Sequence, residues 1–134
     1  MKIFSPVAYG SGSFIIHKSL EEKIDGYVLR QYNPSLTFLP PLISLLRNKN
    51  ADLIHVPIDY ACFSKVRNKP LISTIHGYML DDEIIEQAEF IKRIHYKTDL
   101  KYFIKKSIMQ SNKIVCVSEF LKKKIIIQLC NQTK

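Results

Sequence analysis

Short apolar runs alternate with helical segments along the whole chain, and this alternation restricts the fold more than any other feature of the sequence. The pattern is typical of βα units built around a parallel sheet. The predicted strands are Lys2–Ala8, Tyr27–Tyr32, Asp52–Ile58, Leu71–His76 and Ile114–Ser118. Because the last three are almost wholly apolar, we expect helices to cover them on both sides. The sequence therefore predicts an α/β fold with an open, doubly wound parallel sheet and helices on both faces.

Helices are predicted between these strands. The first runs from Ser13, its predicted N-cap, to Asp25, and Gly26 follows as a helix-ending glycine. Its predicted inner face consists of Ile16, Leu20 and Ile24. The other helices are predicted from Pro40 to about Asn48, after Asp59 as an N-cap, from about Asp82 to Ser111 with a break near Thr98, and from Ser118 or Glu119 onward. Pro6 is expected to interrupt the first strand.

The length and composition fit a single folded domain. The chain has 134 residues, of which 46% are apolar. No apolar run reaches the roughly 20 residues that span a bilayer, and the N-terminus does not resemble a signal peptide. We therefore expect a cytoplasmic protein whose three cysteines are reduced packing residues. Neither the cysteines nor the four histidines have metal-ligand spacing, so no metal site is predicted.

The net charge of +8 is concentrated in the last third of the chain. Residues 1–90 carry 9 Lys+Arg and 10 Asp+Glu, whereas residues 91–134 carry 11 and 2. This asymmetry indicates an anionic partner, which could be lipid headgroups, nucleic acid or an acidic domain. Residues 92–124 interleave lysines with aromatic side chains, which suits either an anionic membrane surface or a solvated helical face above a buried aromatic side. Nucleic acid is the least favoured partner, because no known binding motif is present.

Ligands of open parallel sheets bind beyond the carboxyl ends of the strands. The chemically distinctive residues of this chain lie at three such ends. They are Gly10, Ser11 and Gly12 after the first predicted strand, His76 and Gly77 at the fourth, and Ser118 and Glu119 at the fifth. The sequence therefore predicts that three segments contribute to one crevice.

The glycine turn has two interpretations. Its backbone N–H groups and the following helix start could bind an anion, or the segment could be a plain flexible turn. NAD binding is disfavoured, since Ile15 replaces the third glycine of the dinucleotide motif and Gln31-Tyr32-Asn33 place no acidic residue at the end of the second strand. The Walker motif of P-loop proteins is also absent.

The histidines and Ser118 also leave alternatives open. His76 could orient a hydroxyl or contact a sugar, or it could be a half-buried histidine bonded to backbone. His55 is predicted to be a structural histidine inside a strand, and His17 and His95 to be surface groups. Ser118 could cap a helix or contact a phosphate or sugar, but no nucleophile-elbow motif surrounds it.

Three stretches in order resemble the N-terminal domain of family 4 retaining glycosyltransferases, which have the GT-B architecture. They are ADLIHV at 51–56, PLISTIHG at 70–77 and NKIVCVSEFLKKKI at 112–125. Their order and intervals agree with the family, as does the glycine turn after the first strand. The resemblance covers essentially the whole chain and implies one Rossmann-like N-terminal domain over residues 1–134.

This resemblance implies transfer of a sugar from a nucleotide-sugar donor to a hydroxyl of a polysaccharide or lipid-linked acceptor, with no cofactor or divalent metal. It implies these roles: Gly10, Ser11 and Gly12 near the donor diphosphate and the acceptor, His76 as the catalytic residue with Gly77 in the acceptor and sugar pocket, and Ser118 and Lys122 at the interdomain cleft.

The donor-binding C-terminal domain of that family, with its pair of glutamates, has no counterpart in these residues. We therefore expect transfer only together with a separate C-terminal half, at the inner membrane face. The alternative is an inactive, truncated α/β module that binds an anionic membrane surface or a partner subunit.

Overall fold

Five parallel strands form one sheet in the computed structural model, which describes residues 1–77, 94 and 96–131. The strands are β1 Ile3–Ala8, β2 Tyr27–Tyr32, β3 Leu53–Pro57, β4 Leu71–Ile75 and β5 Lys113–Cys116. Their order across the sheet is β2-β1-β3-β4-β5, and every neighbouring pair is parallel. The predicted parallel α/β sheet is thus confirmed, and the strand bounds agree with the sequence pattern to within two residues.

Pro6 does not interrupt β1, contrary to the prediction. The strand pairs with β2 over its whole length, from Ile3 opposite Tyr27 to Ala8 opposite Tyr32. Its pairing with β3 covers only Ile3 and Phe4 and ends before the proline. Because proline has no N–H to give to a ladder, the strand can continue through it with one partner only.

Within the described ranges, four α-helices and several tighter turns connect the strands. The α-helices are α1 Gly12–Lys23, α2 Ala61–Ser64, α3 Lys101–Gln110 and α4 Glu119–Asn131. Three 3₁₀ helices span Pro34–Phe38, Pro40–Leu46 and Ile58–Tyr60, and a π-helical turn spans Tyr96–Leu100. The helix predicted from Pro40 is therefore a 3₁₀ helix, and Asp59 lies inside a 3₁₀ turn rather than capping a helix.

The start of α1 and the break before α3 both follow from side-chain hydrogen bonds. Ser11, not Ser13, caps α1, because the Phe14 N–H donates to Ser11 Oγ at 3.1 Å. Near Thr98, where a break was expected, the structure has a π-helical turn that leads directly into α3, and the Thr98 hydroxyl donates to the Ile94 carbonyl at 2.8 Å. The predicted helical stretch from Asp82 to residue 93 lies outside the described residues.

Helices lie on both faces of the sheet, as predicted. On one face, α2 packs on a cluster centred on β3, and α3 and α4 pack on a second cluster. These clusters are Phe4, Ala51, Ile54, Val56, Ala61 and Leu71, and Ile58, Ile75, Leu100, Ile104 and Ile125. On the other face, α1 contacts β1 and β2.

The expectation that β5 is covered on both sides is wrong. Three of its four residues, Lys113, Ile114 and Val115, are exposed. β5 is an edge strand, and α1 makes most of its sheet contacts with β1 and β2 at the other end of the sheet. The predicted inner face of α1 therefore lines an open apolar groove with Leu53, Ile72 and Val115 instead of filling a closed core.

Candidate functional site

A crevice opens at the carboxyl ends of β1 and β3, where the strand order reverses. β2 lies on one side of β1, and β3, β4 and β5 lie on the other. This reversal leaves a gap between the loops after β1 and β3, which is the usual ligand position in open α/β sheets. The gap contains two adjoining cavities.

We call the first cavity the His76 cleft and the second the Asp59 cavity. The His76 cleft has a volume of about 470 Å³, and its lining includes Ser11, Gly12, Asp59, Thr74, His76 and Gly77. The Asp59 cavity has a volume of about 310 Å³, and its lining includes Tyr9, Gly10, Ser11, Tyr32, Asp59 and Tyr60. Both volumes fall in the lower range for small-molecule sites.

The loop after β1 is shaped by Gly10 and Ser11. Gly10 has a φ of +72°, a left-handed conformation that favours glycine. Ser11 Oγ donates to the Ala8 carbonyl at 2.9 Å and accepts the capping bond from Phe14. Because the hydroxyl ties the strand end to the helix start, the first N–H groups of α1 are held at the crevice.

His76 follows β4 directly and contacts a second histidine. Its Nε2 lies 3.2 Å from Nε2 of His17 on α1. Its Nδ1 is buried and has no hydrogen-bond partner among the described residues. Burial lowers the pKa of His76, so the ring is neutral near pH 7.

His17 is the centre of a buried hydrogen-bond network, and its predicted place on the surface is wrong. Its Nδ1 lies 2.7 Å from Ser5 Oγ and 2.8 Å from the Tyr27 hydroxyl. The same hydroxyl lies 2.9 Å from Nδ1 of His55, whose Nε2 lies 2.6 Å from Thr74 Oγ1. His55 is thus a hydrogen-bonded histidine inside a strand, as predicted. We call these residues, together with His76, the histidine network.

The histidines of this network are held neutral. Burial, followed by the nearby His55 and His76, lowers the pKa of His17 to about 3. Burial, followed by His76, lowers the pKa of His55 to about 4. Burial also raises the pKa of Tyr27 to about 12, so its hydroxyl keeps its proton.

The unpartnered Nδ1 indicates which way the bond between the two histidines runs. One Nε2 must donate and the other accept, because both rings are neutral. If His17 donated, His76 would carry its proton on Nδ1 as a buried N–H without an acceptor, which is rarer in proteins than an unpartnered acceptor. The contacts therefore favour donation from His76 Nε2–H to His17 Nε2, which leaves a lone pair on Nδ1 of His76.

Asp59 was missed as a site residue, because an aspartate before a helical segment is typical of a helix N-cap and was predicted to be one. Its side chain is half-buried, and burial raises its pKa to about 6. Burial, followed by the charge of Asp59, raises the pKa of Tyr32 to about 12.

His17 did leave a signal in the sequence: Ser5, His55 and Thr74 are polar residues on one face of three adjacent apolar strands.

The crevice brings together five of the seven predicted site residues. Gly10, Ser11, Gly12, His76 and Gly77 all line one of the two cavities.

The other two predicted site residues, Ser118 and Lys122, line neither cavity. Ser118 Oγ accepts the Leu121 N–H at 3.2 Å, which is the geometry of a helix cap, and Lys122 Nζ lies 3.4 Å from Glu119. Their predicted place at an interdomain cleft stays a prediction.

Two further observations apply to the described part of the chain alone. No group of three or more His, Cys, Asp or Glu residues there could hold a metal ion. No helix there is both long and apolar enough to cross a membrane.

A parallel sheet with a crevice at its point of strand reversal defines a Rossmann-like α/β domain. The sequence model of Glycosyltransferase Family 4 matches residues 19–129, which is more than half of the chain. The chain therefore belongs to glycosyltransferase family 4. His76 and Gly77 lie inside the matched range, whereas Gly10, Ser11 and Gly12 precede it. No curated protein and no solved structure matches the chain at a significant level.

Proposed function

We propose that this chain forms the acceptor-side domain of a glycosyltransferase that works with a donor-binding domain. The enzyme would transfer a sugar from a nucleotide-sugar to a hydroxyl of a polysaccharide or lipid-linked acceptor. The bond from the anomeric carbon to the diphosphate oxygen breaks, and a bond to the acceptor oxygen forms. The proton of that hydroxyl leaves with the nucleoside diphosphate.

The observation that carries this proposal is the meeting of α1 and His76 in one cleft. The first N–H groups of the 12-residue α1 have no partner within the helix, and they favour an anion such as a diphosphate. The neutral His76 ring lines the same cleft, where a bound sugar would lie against it.

The test begins with the protein purified from its own cells under conditions that keep complexes intact. Mass spectrometry identifies any donor-binding domain that accompanies it, and release of nucleoside diphosphate from a panel of nucleotide-sugars measures transfer. We expect a donor-binding domain and acceptor-dependent release. A preparation with neither would contradict the proposal.

A second candidate function is docking to an anionic membrane, and a specific surface favours it. We call the described lysines of α3 and α4 the basic surface: Lys101, Lys105, Lys106, Lys122, Lys123 and Lys124. Tyr102 and Phe120 are exposed on the same helices, with the nearest lysine Nζ at 5.9 Å and 5.6 Å from their ring centroids. Exposed aromatic rings among lysines suit the headgroup region. Lys92, Arg93 and His95 lie outside the described residues.

Vesicle sedimentation tests this second function. We expect binding to vesicles with anionic lipid and little binding to neutral ones, with a loss on reversing two charges in Lys105→Glu/Lys123→Glu. The control Lys23→Glu/Lys49→Glu makes the same charge change at exposed residues outside the basic surface. Equal binding to both vesicle types, or equal loss in the control, would contradict membrane docking.

A further inference from the structure

The Asp59 cavity is a second compartment of the crevice, separate from the His76 cleft. The two share Ser11, Ser13, Pro57 and Asp59 along their common wall. The Asp59 cavity extends from there toward the end of β2, where Tyr32 and Thr37 line it. A molecule in this cavity would therefore lie next to one in the His76 cleft.

Among the residues that the structure describes, Asp59 has no partner that would account for its burial. No hydrogen bond or ion pair from the described residues reaches its carboxyl group. A half-buried carboxylate in this state has lost water without gaining a donor, which is unfavourable in a folded protein. Such a group beside a cavity is typical of a position that a ligand completes.

The lining of the cavity indicates the chemistry of that ligand. The described residues that line it include no Lys, Arg or His, so among them a phosphate or other anion would find no cationic partner and would face Asp59. Tyr9, Tyr32 and Tyr60 supply aromatic faces, and Ser11 and Thr37 supply hydroxyl groups. Aromatic faces, hydroxyls and a carboxylate acceptor together suit a neutral molecule with several hydroxyls.

From this arrangement we infer that the Asp59 cavity binds a neutral, hydroxyl-bearing sugar, with one hydroxyl donating to the Asp59 carboxylate. This inference rests on the proposed function and extends it, because it assigns the acceptor sugar to a compartment and to a specificity-determining residue. The volume of about 310 Å³ limits the bound part to roughly one or two sugar rings.

Saturation-transfer NMR on the full chain tests the inference without any nucleotide or partner domain. The neutral probes are the methyl α-glycosides of glucose, mannose and galactose, the anionic probe is methyl phosphate, and the cationic probe is tetramethylammonium. The variants are Asp59→Asn and the matched control Asp25→Asn, which lies at an exposed position that lines neither cavity.

We expect at least one glycoside to bind the wild type and the control equally, and to bind Asp59→Asn about tenfold more weakly or worse, because a charge-assisted hydrogen bond is lost. Amide shifts should fall on the loops after β1 and β3. Binding of no glycoside, equal binding to Asp59→Asn, or preference for methyl phosphate or tetramethylammonium would overturn the inference. Glycoside binding with no sugar transfer by the purified complex would instead contradict only the proposed function.

Discussion

At the scale of single residues, Asp59 combines a stability cost with a proposed binding role. Its pKa rises from 3.8 unfolded to about 6 folded, so the fold disfavours the ionised form. Below the unfolded pKa, Asp59 is protonated in both states and its shifted pKa does not change the free energy of unfolding. It then destabilises the fold progressively as the pH rises from about 4 to about 6, and it stays constant above that range.

We predict that Asp59→Asn stabilises the fold at pH 7.5 by about 1–3 kcal/mol, since each pKa unit corresponds to about 1.4 kcal/mol. Urea unfolding at pH 7.5 and pH 5 measures the gain, which should be smaller at pH 5. Asp25→Asn serves as the control with little change. A loss of stability, or a gain that is the same at both pH values, would contradict the assignment of Asp59 as an unpaired carboxylate.

The hydrogen bond between the two histidines makes a spectroscopic prediction. We expect two-bond ¹H–¹⁵N NMR spectra of His76 to show a protonated Nε2 and an unprotonated Nδ1. His17→Phe removes the acceptor and should give a mixture of both His76 tautomers. A protonated Nδ1 in the wild type would show that the bond runs the other way.

Residue roles were only partly predictable from the sequence. His76 and the glycine turn could be assigned because they end strands of a recognisable pattern. His17 was missed, because its own helix, with Ile16, Leu20 and Ile24, gave no reason to turn a histidine inward, and the signal lay instead in polar residues of the strands. The reason is three-dimensional: Ser5 and Tyr27 offer hydrogen-bond partners that become available only after the sheet has formed.

At the scale of secondary-structure elements, the histidine network fastens α1 to the sheet and should make that attachment sensitive to acid. His17 and His55 have folded pKa values of about 3 and about 4, below the ordinary value of 6.5. Between these values the unfolded chain binds protons that the folded chain does not. Stability is therefore fully present above pH 6.5 and is lost as the pH falls below it.

We predict that the free energy of unfolding falls by about 2–4 kcal/mol between pH 7 and pH 5. This is a net value, from which the smaller opposite effect of Asp59 has been subtracted. Urea unfolding across this range gives the slope. His17→Asn removes one of the two strongly shifted groups and should reduce the slope by more than half, because the opposite effect of Asp59 remains. A flat profile in the wild type, or an unchanged slope in the variant, would contradict burial of neutral histidines.

The strands were more predictable than the helices. The β-rich runs, together with the turn residues on either side of them, predicted the bounds of β2 correctly and those of the other strands to within two residues. The segment from Pro34 to Leu46 forms two 3₁₀ helices instead of an α-helix, which the local pattern alone did not reveal. The exposure of β5 depends on which helix lies over it, and that is a property of the whole sheet.

At the scale of the whole molecule, the order of elements identified the fold and the family and predicted a crevice, whereas the shape of that crevice and the place of Asp59 in it required the structure. The three family-like stretches and the match over residues 19–129 point to the same domain. The crevice depends on β1 and β3 becoming neighbours, which brings Gly10–Gly12, Asp59 and His76 together from distant parts of the chain.

The most direct test of the account is sugar transfer by the purified complex with wild-type chain, His76→Ala and the control Asp25→Asn. We predict that His76→Ala lowers kcat/KM by about 100-fold or more, as expected for loss of a group that contacts the reacting sugar. The control should match the wild type. Transfer that is unaffected by His76→Ala, in a variant that folds normally, would show that the reaction takes place elsewhere.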